Sequence, residues 1–72
     1  MLDNIIAEVG RRGHSEISLV VLTNVYFRGD DAIEQIERWA KGNGLRVLYS
    51  PPLIHPCRDS DRQITFYPLS KL

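Results

Sequence analysis

Cysteine is almost absent from this chain: Cys57 is the only one in 72 residues. No intramolecular disulfide can form, and there is no thiolate cluster for a structural zinc, so a reducing, cytoplasmic setting is the expectation. Charge of one sign is also lacking. Nine Lys and Arg balance nine Asp and Glu, which leaves no global field to draw the chain onto a phosphate backbone. The longest apolar run, around Leu19 to Leu22, is far too short to span a bilayer, and no basic region followed by an apolar run opens the sequence. Membrane insertion and secretion are therefore not expected. His55 and Cys57 have metal-binding chemistry, but two donors do not make a site and His14 is distant in sequence, so loop composition accounts for them better. A Cys-His nucleophile would also need an orienting third group and a concave pocket. Neither catalysis, nor a metal, nor a cofactor is expected.

What remains is ordinary for a folded domain. A hydrophobic fraction of 43% with 25% charged residues lies away from the composition at which chains stay disordered. Residues 1–72 make one small domain whose core is thin, because a chain of this size buries only roughly 60% of its unfolded surface.

Leu22 to Leu45, LTNVYFRGDDAIEQIERWAKGNGL, is the most informative stretch. It reads as a short helix, a tight turn and a longer amphipathic helix. Upstream, Leu2 to Arg12 is predicted to be helical, capped by Asp3 or Asn4, with Ile5, Ile6 and Val9 near one face and Gly10 and Gly13 at its end. His14 to Ile17 form a short extended link in which Ile17 points inward, and Ser18 caps the next helix. Leu19 to Phe27 is ambiguous. Its β-branched and aromatic residues favour a strand, whereas Leu19, Leu22 and Val25 or Tyr26 share one helical face.

The next helix begins at Asp30 or Asp31, which place carboxylates at the positive end of its dipole. Ala32, Ile33, Ile36, Trp39 and Ala40 form its inward face, and the cluster Gly42, Asn43, Gly44 ends it. Leu45 to Ser50 alternates like a strand until Pro51 and Pro52 stop it. Gln63 to Tyr67 alternates in the same way and is ended by Pro68. Between them lies the loop Pro51 to Asp61, long for a hairpin. The expected fold is α+β, three helices followed by a C-terminal β-hairpin; if Leu19 to Phe27 is a strand, the alternative is a small sheet domain ordered helix, strand, helix, strand, strand.

Across nearly its whole length this pattern resembles the winged helix-turn-helix superfamily of bacterial and phage regulators. The resemblance is carried by Ile17, Ser18, Leu19 and Leu22, by Ala32 and Ile33, and by Gly44 and Leu45 before the hairpin wing. It implies a small winged-helix protein that binds double-stranded DNA as a dimer, acting as a transcriptional regulator or recombination accessory factor. The chain departs from the family pattern at Val20, Val21 and Thr23, and at Asp30, Asp31 and Glu34, where acidic groups near phosphates cost affinity. Favourable groove contacts then fall to Gln35, Arg38 and Lys41, with Arg28 in the turn.

The wing and tail are the basic part. Arg46 to Leu72 carries four basic residues (Arg46, Arg58, Arg62, Lys71) and two acidic ones (Asp59, Asp61). Arg58 and Arg62, with Arg46 at the base, are the candidate backbone clamp, against the plainer reading of a solvated loop. Val20, Val21, Tyr26 and Phe27 offer more apolar surface than a thin core absorbs if their segment is helical, and so mark a candidate dimer or partner interface. This gives the second expectation: a protein-interaction module, such as an inhibitor or assembly factor, working through the apolar Leu19 to Phe27 face. Ser70, Lys71 and Leu72 spell a peroxisomal address tripeptide, read here as coincidence in a short polar tail.

Overall fold

Helix α1, Leu2–Arg12, has the length expected of it. The computed structural model describes residues 2–69, so Ser70, Lys71 and Leu72 lie outside the described residues. Because α1 already includes Leu2, Asp3 and Asn4 sit inside its first turn rather than capping it. Asp3 there and Arg11 and Arg12 in the last turn complement the helix dipole. Ile5 and Val9 are buried while Ile6 stays exposed. Gly13 ends the helix with φ +88°, donating its N–H to the Val9 carbonyl at 2.8 Å.

The link after α1 is a strand. Ser15–Ser18 forms β1, which pairs antiparallel with the downstream strand β3, Gln63–Pro68, setting Ser15 against Phe66 and Ile17 against Ile64. Strand β2, Leu45–Ser50, lies on the other side of β3, with Val47 against Phe66 and Tyr49 against Ile64. The sheet order is therefore β1-β3-β2. Ile17 is only half-buried, and Ser15 is the buried member of β1. Its hydroxyl donates to Glu8 of α1 at 3.1 Å.

Leu19–Val25 is helical, α2, so the strand alternative for Leu19 to Phe27 does not form. Local propensity loses to burial: Leu19 and Leu22, one turn apart, are 1% and 0% exposed. Ser18 occupies the position before the helix, but its side chain makes no capping bond. The first N–H of α2, from Leu19, is taken by the Arg62 carbonyl at 2.9 Å. Tyr26 and Phe27 both donate their amides to the Leu22 carbonyl, and the chain turns so that Phe27 is buried.

Gly29, with φ +105°, reverses the chain into α3, Ala32–Gly42. Ala32, Ile36 and Ala40 are buried, and Ile33 and Trp39 pack against them, the inward face that the sequence predicts. Trp39 stands edge-on to Phe66, with ring centroids 5.6 Å apart, and also touches Phe27 at 6.0 Å. Asn43 and Gly44 close the helix; the Asn43 amide donates to the Trp39 carbonyl at 2.8 Å and Gly44 takes φ +72°. The three helices cover one face of the sheet, where Leu45, Ile64 and Phe66 meet Leu19, Leu22 and Ile36.

Two measurements check this packing. Phe66→Ala leaves a void under Trp39 in a core with little redundancy, and a loss of about 3–5 kcal/mol is expected; urea denaturation with a midpoint close to that of the parent would contradict the placement of Phe66. Glu8 holds a pKa below its ordinary value of 4.5, first because the Ser15 hydroxyl donates to it and then because Arg12 does. A folded pKa below the unfolded one contributes stability that is complete above the unfolded value and lost as pH falls through the folded one. The stability difference between the parent and Glu8→Gln should thus shrink as pH drops below 4.5, measured as denaturation midpoints across an acid series.

Candidate nucleic-acid interface

The outward face of α3 is built by the same periodicity that buries its inward face. Glu34, Glu37, Arg38 and Lys41 are exposed, so the carboxylates occupy its first half and the cations its second half. Glu34 and Arg38, like Glu37 and Lys41, have the four-residue spacing of helix ion pairs. Neither pair closes to ion-pair distance, however, and among the described residues ion pairs occur only at Glu8 and Asp61. Arg38 and Lys41 are left available to an outside anion. Glu37 is engaged differently, accepting a hydrogen bond from the Tyr49 hydroxyl at 3.1 Å that ties α3 to β2. Burial, then the Glu37 charge and this bond, push the Tyr49 pKa well above its ordinary value, so Tyr49 remains a neutral donor.

Gln35 is not available in the same way. Its amide nitrogen donates to the Arg28 carbonyl at 3.0 Å and to the Asp31 carboxylate at 2.7 Å. It closes the turn before α3 instead of facing outward, and a groove contact from it would cost both bonds. Arg28 itself is exposed in that turn.

Arg46 lies on the opposite face of the sheet from the helices, with its guanidinium carbon 5.3 Å from the centre of the Tyr67 ring. The register explains the contact, since Arg46 and Tyr67 are direct partners in the β2–β3 pair. The His14 ring lies 6.4 Å from the same ring, tilted by 36°. Arg58 is the exposed cation of the loop; its side chain is 83% accessible and pairs with Asp61 at 3.1 Å across a single 3-10 turn, Asp59–Asp61. An ion pair this exposed contributes little and opens readily.

Arg62 overturns its expected part in a backbone clamp. It is 6% exposed. Its Nε donates to the Pro51 carbonyl at 3.0 Å and its Nη2 to the Pro52 carbonyl at 3.0 Å, and Nη2 donates also to the His55 carbonyl. A guanidinium committed to three carbonyls of its own loop is not free to grip phosphate, because burying its charge requires those acceptors.

The apolar surface is distributed differently from the expectation too. Phe27 is 7% exposed and belongs to the core, which removes it from any interface; Val20 and Val21 are half-buried, and Tyr26 is exposed. Val25, at 59%, is the most exposed apolar residue of α2. A second exposed apolar group lies beside the loop, where Leu48, Leu53 and Ile54 are 56%, 44% and 92% accessible. A shallow apolar groove of about 440 Å³ lies there, lined by Val47, Leu48, Tyr49, Pro52 and Leu53. Strand alternation signalled Leu48, since Val47 and Tyr49 face the helices and their neighbour must face away. Nothing local signalled Leu53 and Ile54.

Cys57 is a free, half-buried thiol. Among the described residues no group of three or more His, Cys, Asp or Glu side chains converges as a metal site would require, and no helix is long and apolar enough to cross a membrane. Compared with known protein families, with curated proteins and with solved structures, the chain matches none.

Proposed function

We propose that the chain is a winged helix that binds double-stranded DNA, with α3 entering the groove and the Pro51 to Asp61 loop serving as the wing. The reading is supported most by one arrangement: a helix-turn-helix, α2 to α3, leads directly into a hairpin whose strands pack under it. Arg38 and Lys41 at the exposed end of α3, Arg28 in the turn, and Arg46 and Arg58 on the hairpin are the cations this reading uses. Arg38 suits bidentate reading of a guanine edge, while Lys41, Arg46 and Arg58 suit phosphate. Glu34 and Glu37 repel phosphate from the start of α3, so the helix approaches the duplex by its C-terminal half. A transcriptional regulator or a recombination accessory factor needs this kind of compact reader, and two copies would double a modest positive surface.

Titrating salt against affinity for duplex DNA tests the reading. Binding should weaken steeply as salt rises, Arg58→Gln should lower the magnitude of the log-log slope by about 1, and Arg38→Ala should reduce discrimination between sequences by about 1–3 kcal/mol. Absence of detectable binding at low salt would remove the proposal.

A second reading, a protein-interaction module on the same fold, is favoured by the exposure of Val25 and Tyr26 beside half-buried Val20 and Val21. Apolar groups arranged along one helix edge suit a partner helix or a second copy of this chain. Val25→Asp should disrupt association in sedimentation velocity while leaving the circular dichroism spectrum unchanged, since the side chain is largely in solvent. Association that persists at the same concentration would count against this face.

A further inference from the structure

The loop Pro51 to Asp61 has a single internal 3-10 turn and no strand pairing of its own, yet one residue engages both of its ends. The Arg62 side chain takes the carbonyls of Pro51, Pro52 and His55. Its backbone N–H donates to the Asp59 carbonyl at 3.2 Å, and its backbone carbonyl accepts from Leu19 at the start of α2 at 2.9 Å. No carboxylate stands within ion-pair distance of it among the described residues. The buried charge is therefore met by backbone dipoles of the loop, and it loses them if the loop lifts away.

We infer that Arg62 is a positioning residue that fixes the Pro51 to Asp61 loop against the first turn of α2, so that Arg58 and the Leu53 and Ile54 tip are presented in one arrangement. Loop and helix are then one unit. Ser18 makes no side-chain cap, so α2 takes its first hydrogen bond from the same residue that holds the loop. Loosening one end loosens the other. A lysine does not replace this: a single ammonium nitrogen cannot reproduce the planar fork that spreads Nε and Nη2 over three carbonyls. The structural part of the inference stands by itself, whereas its consequence for affinity rests on the DNA reading above.

Amide hydrogen exchange and the salt titration together separate the possibilities. In the parent, the amides of His55, Asp61 and Leu19 should share one opening free energy, lower than that of α3 and β3. In Arg62→Met their exchange should rise by about tenfold or more while α3 keeps its protection, and Arg62→Lys should recover little of it. Duplex affinity should fall in both variants with the salt slope unchanged, whereas Arg58→Gln should lower the slope and leave exchange as in the parent. Parent-like loop protection in Arg62→Met with a slope reduced by about 1 would mean that Arg62 contacts phosphate directly, and would overturn the inference. So would independent opening of His55 and Leu19 in the parent, a measurement that needs no variant to fold. If the parent binds no duplex at all, the DNA reading fails and the exchange data alone judge the latch.

Discussion

Phe66 has no solvent exposure, and the register places Ser15 on one side of it and Val47 on the other. Strand β3 thus runs between two strands that are separated in sequence by both α2 and α3. Neither β1 nor β2 touches the other; each has a sheet partner only because β3 lies between them. The aromatic chain Phe27, Trp39, Phe66 then carries the same dependence into the helices. Burying a phenylalanine side chain is worth about 1.5–3 kcal/mol, a large share of what a domain this size holds in reserve. Pairing and packing are in this sense one event, and α2 and α3 are positioned by the sheet beneath them.

That dependence explains which parts of the fold were legible. The inward face of α3 and the alternation of β2 and β3 are patterns within single segments, and burial follows them residue by residue. Four-residue β1 carries no such pattern, and a strand that short is defined by its partner, which lies more than forty positions downstream. Leu19 to Val25 is a similar case with a different outcome. Valine content argued for extended structure, but Leu19 and Leu22 must both reach the core beneath α3, and only a helical turn brings them there together.

Side-chain roles were harder to foresee than elements, for a chemical reason. Arg62 and Arg58 are the same residue type in the same basic segment, yet one is enclosed and the other solvated. What distinguishes them is the position of backbone carbonyls, and no sequence letter records where a carbonyl will point. Gln35 shows the same limit, because its outward-looking place on the helix is undone by a turn carbonyl at Arg28. In the sequence Phe27 counts as surplus apolar area, whereas the turn after Leu22 folds it back against Trp39.

The electrostatic pattern that results is narrow. With the net charge at zero, long-range attraction to nucleic acid is weak, and screening at physiological salt limits exposed charges to about 8 Å. Under the proposed DNA reading, recognition would depend on placing a few cations accurately, not on accumulating many. Arg38 and Lys41 are placed by a helix whose far side is locked into the core, and Arg46 by its stacking on Tyr67. Arg28 sits in the short turn before α3, and Arg58 on a long loop without strand pairing. Holding that loop still therefore matters more here than it would on a strongly basic domain, where one misplaced cation among many changes little. A neutral chain that commits an arginine to its own backbone gives up one cation to fix the position of another.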